Sequence, residues 1–181
     1  MCGILGYIGN RELDSSKIKQ ILSLMYSRGP DHQAIRQFKY NKKNIYLFSS
    51  RLKIIDRLKR SNQPMSFENY TIIFNGEIYN LHDLKKIIIS KGIKLSTDSD
   101  TEIVLKMYVL FKSNCVNYFE GMWSFAIYNN KTYEVFLSRD RMGEKPLFFL
   151  KKNNNIYFGS QTIYLRSLAD NYNTLNEKKI F

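Results

Sequence analysis

The chain opens Met1-Cys2-Gly3-Ile4, and removal of Met1 would leave Cys2 with two reactive groups on one residue. Its thiol is a nucleophile. Its free α-amine, with a reference pKa of about 7.7–8.0, is partly unprotonated near neutrality and can take the thiol proton, a recognised way to activate a weak nucleophile. A cysteine at this position also fits a small buried hydrophobe on an edge strand, so the reading turns on what the remaining residues supply. Two stretches carry complementary groups. Asn75-Gly76-Glu77 offers a side-chain amide, a glycine and a carboxylate at the end of the apolar run Tyr70-Thr71-Ile72-Ile73-Phe74. Asn-Gly there permits positive φ and can aim amides at a ligand, or it simply closes a hairpin. Thr97-Asp98-Ser99-Asp100-Thr101-Glu102 places three acids within five residues at a helix start. Carboxylates favour that end of the helix dipole, and one of them could remain to bind an ammonium group.

The elements that must position these groups follow from periodicity and punctuation. Residues 3–8 are apolar and broken by glycine, as suits a buried strand whose backbone lies close to a neighbour. Such a strand would hold Cys2 rigidly. Ile18, Ile21, Leu22 and Met25 recur at i, i+3, i+4 and i+7, predicting a helix over residues 15–26 with Asp14 or Ser15 as N-cap. It stops at the turn Arg28-Gly29-Pro30-Asp31. Strands over residues 34–38 and 45–50 flank a polar loop, the second running into Arg51-Leu52-Lys53-Ile54-Ile55-Asp56. Leu84, Ile87 and Ile88, followed by Gly92, describe a second helix with a glycine stop. Ser99 and Glu102 have capping-box spacing for a third, carrying Ile103, Val104, Met107, Tyr108 and Phe111 on one face. Strands over 123–128, 134–139, 147–150 and 156–159 come next, and residues 161–181 read as helical pieces with a final helix start over 175–181. Runs of strands with inserted helices, lacking regular alternation, argue for largely antiparallel sheets covered by helices.

A length of 181 residues fits one domain with a substantial core. Cys2 and Cys115, the two cysteines, form neither a disulfide framework nor a metal-ligand spacing, so no metal site is expected and the cytoplasm is the expected compartment. No apolar run approaches the roughly 18 residues of a membrane span, and no secretory pattern opens the chain. The net charge of +12 raises the question of nucleic acid. Its basic residues are scattered singly or in pairs, such as Lys42-Lys43 and Lys85-Lys86, which favours a solvated surface over nucleic-acid binding.

Taken together, Met1-Cys2-Gly3-Ile4, Arg28-Gly29-Pro30-Asp31, Arg51-Leu52-Lys53-Ile54-Ile55-Asp56, Gln63-Pro64-Met65, Phe74-Asn75-Gly76-Glu77-Ile78-Tyr79-Asn80, Ser99-Asp100-Thr101-Glu102 and Gly121-Met122-Trp123-Ser124-Phe125-Ala126 occur in a telling order. With the later Arg139-Asp140-Arg141-Met142-Gly143-Glu144-Lys145-Pro146-Leu147, they resemble the glutaminase half of glutamine-hydrolysing asparagine synthetases in order and spacing. The resemblance covers nearly the whole chain. It implies an α+β fold of the class II glutamine amidotransferase type over residues 2–181: a four-layer α/β/β/α sandwich of two mainly antiparallel sheets, as in N-terminal-nucleophile hydrolases.

By the same resemblance, Cys2 is the nucleophile that hydrolyses the glutamine side-chain amide, and Asn75 and Gly76 shape the oxyanion hole. Arg51, Glu77 and Asp100 lie in the glutamine pocket, with Leu52, Lys53, Ile54 and Ile55 lining it. These residue types suit the substrate. Arg51 can grip the α-carboxylate in a bidentate manner, and Asp100, aided by Glu77, can hold the α-ammonium. No histidine is needed, and His32 and His82 are expected on the surface or in loops. The expected product is ammonia for ATP-dependent conversion of aspartate to asparagine by a synthetase domain or subunit, the partner of this half. That domain, with its serine-glycine-glycine pyrophosphate loop and its ATP and Mg, is expected to be absent from this chain, and the glutaminase half itself needs no cofactor. A homodimer through this half is a further expectation. Two alternatives accompany this reading, a related amidotransferase acting on a surface sugar or peptide, and an inactive regulatory or interaction domain.

Overall fold

The computed structural model describes residues 2–170, and the helix start read over 175–181 lies outside them. In chain order the elements are β1 (Gly3–Gly9), α1 (Ser15–Met25), β2 (His32–Tyr40), β3 (Lys43–Arg51), β4 (Met65–Phe67), β5 (Tyr70–Ile78), α2 (Leu81–Ser90), α3 (Asp100–Phe111), β6 (Gly121–Asn129), β7 (Val135–Arg139), β8 (Phe148–Lys152), β9 (Asn155–Gly159) and α4 (Thr162–Leu168). One sheet runs β2-β3-β1-β9-β8 and the other β4-β5-β6-β7. Every neighbouring pair is antiparallel.

Side-chain alternation explains why the central strands are apolar almost throughout. In β1, Ile4 faces the space between the sheets, whereas Leu5 and Tyr7 face α1 and α4. Ile45 and Leu47 of β3 likewise point inward between the sheets while Tyr46 and Phe48 point to the helices. In β5 and β6, Ile73, Ala126 and Tyr128 meet the first sheet, and Ile72, Phe74, Trp123, Phe125 and Ile127 pack under α2 and α3. A strand buried on both faces has no reason to alternate with polar residues. Three cores stacked this way make the expected four-layer sandwich.

Local chemistry sets the boundaries. Asp14, one of the two candidate caps, accepts from the Lys17 N–H at 2.7 Å and starts α1. Gly92 ends α2 with φ of +78°, its N–H donating to Ile89 and that of Ile93 to Ile88, the paired bonds of a Schellman stop. Asn41 and Lys42, both at positive φ, close the β2–β3 hairpin, and Asn153 and Asn154 do the same for β8–β9. The Ser99 hydroxyl caps α3 by accepting from the Glu102 N–H at 3.3 Å. The reciprocal half of the capping box is missing. Glu102 turns instead to the N–H groups of Ser96 and Thr97 and pairs with buried Lys106 at 2.5 Å.

Helix α3 differs from the one-faced amphipathic helix read from the sequence. Asp100, Thr101, Glu102, Ile103, Val104, Leu105, Lys106 and Met107 are all buried, because α2, β4 and β5 pack against this helix. Phe158, wholly buried between the sheets, lies over Gly6, where any Cβ would strike its ring. Replacing Phe158 with alanine should cost about 3–5 kcal/mol of unfolding free energy, measured by urea denaturation. A loss under about 1 kcal/mol would contradict its place in the inter-sheet core.

Candidate active site

Cys2 precedes β1 directly, and the register of that strand determines where its thiol sits. Gly3 pairs with Ser50 on β3, so Cys2 arrives beside the end of β3 at Arg51 and Leu52. Its Sγ donates to the Leu52 carbonyl at 3.7 Å. Arg28 holds the cysteine from the other side, its Nε donating to the Cys2 carbonyl at 2.9 Å. Burial pushes the thiol up from its ordinary pKa, and the Leu52 bond with the Arg51 and Arg28 charges pulls against that. The Arg28-Gly29-Pro30-Asp31 turn therefore has a structural task. The Asp31 N–H donates to the Arg51 carbonyl at 3.2 Å, the Asp31 carboxylate accepts from the Lys53 N–H at 2.8 Å, and a Cβ on Gly29 would strike the Ser50–Arg51 backbone.

Arg51 is 4% exposed, and the loop that follows it folds around its guanidinium. Nη1 donates to the Leu58 carbonyl and the Asn62 side chain at 3.3 and 3.0 Å, and Nη2 to the Ile55 and Asp56 carbonyls at 3.1 and 2.6 Å. All four acceptors are neutral. Burial lowers the pKa of this cation, as expected of a charge taken out of water without an anion bonded to it. The bidentate carboxylate fork read from the sequence is thus occupied by loop oxygens here. Asp56 closes the same loop. It accepts from the N–H groups of Asp98 and Leu58 and from Arg60, and these bonds bring its carboxyl down to about 2.

Asn75-Gly76 is a correction to the sequence reading. The backbone makes neither a positive-φ turn nor a hairpin there: β5 continues through both residues to Ile78, with Gly76 opposite Trp123 of β6. Glycine is required for close approach, because a Cβ would meet the Met122 carbonyl and come within 2.8 Å of the Trp123 Cα. Asn75 is 1% exposed, and its Nδ2 has no hydrogen-bond partner among the described residues. A buried N–H left unpaired carries a desolvation cost, which a ligand oxygen in the adjoining space would remove. Asp100, at the first turn of α3, accepts from the Ile78 N–H at 2.8 Å. Burial, aided by the neighbouring Glu77 charge, raises its carboxyl above the ordinary range despite that bond.

These groups share one cleft of about 540 Å³, counting its open mouth, lined by Cys2, Arg51, Leu52, Ile54, Ile55, Asn75, Gly76, Glu77 and Asp100. Lys53 alone among the expected residues does not line it. Its N–H is turned to Asp31. Gln63, Phe74, Ser99, Thr101 and Lys145 also line the cleft and were not read as site residues. Each lies inside one of the motifs above, and only the fold shows that those motifs converge. His32 sits half-buried at the start of β2, opposite Arg51, with burial lowering its pKa. His82 is exposed on α2. Among the described residues no group of His, Cys, Asp and Glu could hold a metal ion, and no helix is long and apolar enough to cross a membrane.

A cysteine at the head of a central strand and a buried, unpaired amide thus line one cleft of a four-layer sandwich. The chain belongs to the glutamine amidotransferase domain family, whose profile matches residues 1–180. It is 32% identical over 168 residues to asparagine synthetase [glutamine-hydrolyzing] 3 of Bacillus subtilis (strain 168), covering 89% of this chain and 26% of that protein. A putative asparagine synthetase [glutamine-hydrolyzing] 2 of Methanocaldococcus jannaschii is 33% identical over 178 residues, covering 89% of this chain and 34% of that protein. The chain therefore spans about a quarter to a third of these relatives. In fold it resembles the glutamine phosphoribosylpyrophosphate amidotransferase of B. subtilis solved with ADP and GMP, with a TM-score of 0.70, 17% identity, and coverage of 93% of this chain and 44% of that one.

The two thiols should respond differently to iodoacetamide. Cys115 is fully buried and pushed up to about 12, so the native protein should be modified at Cys2 alone. In the chain that retains Met1, the Cys2 rate should reach its half-maximum at a higher pH than that of a Met-Cys-Gly-Ile peptide, followed by mass spectrometry. A midpoint at or below that of the peptide would contradict a thiol raised by burial.

Proposed function

We propose that this chain hydrolyses the side-chain amide of L-glutamine through Cys2, once Met1 is removed, and supplies the ammonia to an ATP-dependent synthetase domain or subunit that makes asparagine from aspartate. The observation that carries the reading is the unpaired, buried Asn75 amide lining the same cleft as the Cys2 thiol. The cleft also has a cation and an acid matching the two charges of an α-amino acid. Arg51 is a buried cation with only neutral oxygens bonded to it, a setting that favours a carboxylate ligand taking over some of those bonds. Asp100 is an acid raised by burial, which an ammonium group would stabilise in its ionised form.

In the proposed reaction the Cys2 α-amine accepts the thiol proton, and the thiolate attacks the amide carbon. Negative charge on the carbonyl oxygen is taken by the Asn75 side-chain amide and the Gly76 N–H. Because these donors are fixed before the reaction, little reorganisation opposes the charge. The protonated amine gives its proton to departing ammonia, leaving a thioester that water cleaves to glutamate. The relatives' being asparagine synthetases [glutamine-hydrolyzing] supports asparagine as the destination of the nitrogen.

Purified protein should release ammonia from glutamine. Cys2→Ala should abolish that release, and equal release from both proteins would refute the proposal. Asn75→Ala should lower kcat about 10²- to 10³-fold, the cost of about 2.7–4 kcal/mol typical of one lost oxyanion donor, with a smaller change in KM. The Asp100 value is raised, and only its ionised form holds the ammonium. Glutamine affinity should therefore be full at neutral pH and decline, as a rising KM, when pH falls through a window above the ordinary carboxylate range. Asp100→Asn should show a high KM with that dependence flattened. A wild-type KM that stays constant as pH is lowered through that window would contradict the assignment.

A further inference from the structure

We infer that Gln63 is the positioning residue that holds the oxyanion and ammonium sides of the cleft in fixed relation, an assignment that rests on the proposed glutaminase reading. Gln63 is 4% exposed, and it has buried bonds to three elements. Its Oε1 accepts from the Phe74 N–H at 2.7 Å, its Nε2 donates to Thr101 Oγ1 at 3.0 Å, and its carbonyl accepts from Ser49 Oγ at 2.6 Å. Two of the partners, Phe74 and Thr101, line the cleft themselves, and all three lie beside or near a site residue. Phe74 precedes Asn75 on β5, Thr101 follows Asp100 on α3, and Ser49 lies two residues before Arg51 on β3.

Among the described residues, β5 and α3 are joined at this level through Gln63 and through the bond of Asp100 itself to the Ile78 N–H. Strand β4 pairs with β5 only from Tyr70 to Ile72. The chain beyond β5's edge at Phe74 is therefore closed by the Gln63 side chain, which supplies there the acceptor that a neighbouring strand would otherwise give. A primary amide is the side chain that can do both jobs at once, accepting from a backbone N–H and donating to a hydroxyl. Glutamine binding requires its two ends to be held a set distance apart. Through these bonds Gln63 fixes how far Asn75, at the amide end, lies from Asp100, at the amino-acid end. Misplacement of reacting groups by about 1 Å can cost about 100-fold in rate.

The two arms give different kinetic signatures. Thr101→Val keeps the shape of this cleft-lining side chain but removes the acceptor for Gln63 on α3, so KM for glutamine should rise about tenfold or more while kcat changes less than about twofold. Thr101→Ser keeps the hydroxyl and should restore the wild-type KM. Gln63→Met keeps the volume but loses both arms, and should raise KM and lower kcat by about 100-fold. The full chain is assayed for ammonia release, with thermal melting to confirm folding. If Gln63→Met does not fold, the Thr101→Val and Thr101→Ser pair decides. Wild-type KM and kcat in a folded Gln63→Met protein, or a Thr101→Val variant whose kcat falls with KM unchanged, would overturn the role while leaving the glutaminase reading intact. Absence of Cys2-dependent ammonia from the unsubstituted chain would overturn the function and this role together.

Discussion

The antiparallel pairing of β1 with β3 is the constraint from which the site follows. Because Gly3 lies opposite Ser50, the residue before β1 and the residues after Ser50 meet at one edge, and Cys2 stands beside Arg51 and Leu52. A shift of one residue would turn every side chain of β1 to the opposite face, exchanging Ile4 with Leu5 between the inter-sheet and helix-side cores. The two apolar faces thus lock the register that delivers the thiol. Arg28 and the turn behind it add a second restraint on the same corner.

The second sheet supplies the remaining groups, and the inter-sheet core sets how far away they lie. Ile4, Leu47, Ile73, Ala126 and Phe158 fill the layer between β1, β3, β5, β6 and β9, and Asn75 emerges from this layer two residues beyond Ile73. It is there that burial and chemistry conflict. The strand must leave an amide N–H unpaired, α3 must begin with a buried acid, and the loop over residues 52–61 must wrap a buried guanidinium. Each of these is unfavourable in a protein without ligand, and all face one cleft. Regular packing elsewhere gives the rigidity that keeps them in place.

The strands and helices were largely legible because their signals are local. Apolar runs mark the central strands, and Gly92 marks a helix stop. What could not be read locally was the environment. Asn75-Gly76 has turn composition, yet β6 pairs with it and extends the strand, so the glycine serves a close backbone contact. The early part of α3 carries acids and a lysine that suggest an exposed face, and tertiary packing buries them. Arg51 could be placed at the site from its motif, but that its fork is filled by loop oxygens depends on a loop conformation that no sequence period encodes. The motif around Gln63 does not reveal its task, since its three partners are distant in sequence and meet only in the folded chain.

The central claim is that the Cys2 sulfur, at a free N-terminus, attacks the end of a bound glutamine. It is tested most directly by treating the protein with a glutamine analogue bearing a diazoketone in place of the amide, followed by peptide mapping with mass spectrometry. One adduct per chain is expected, on the sulfur of an N-terminal peptide that begins at Cys2, with protection by glutamine. An adduct confined to another residue, or labelling of a peptide that still begins at Met1, would contradict it.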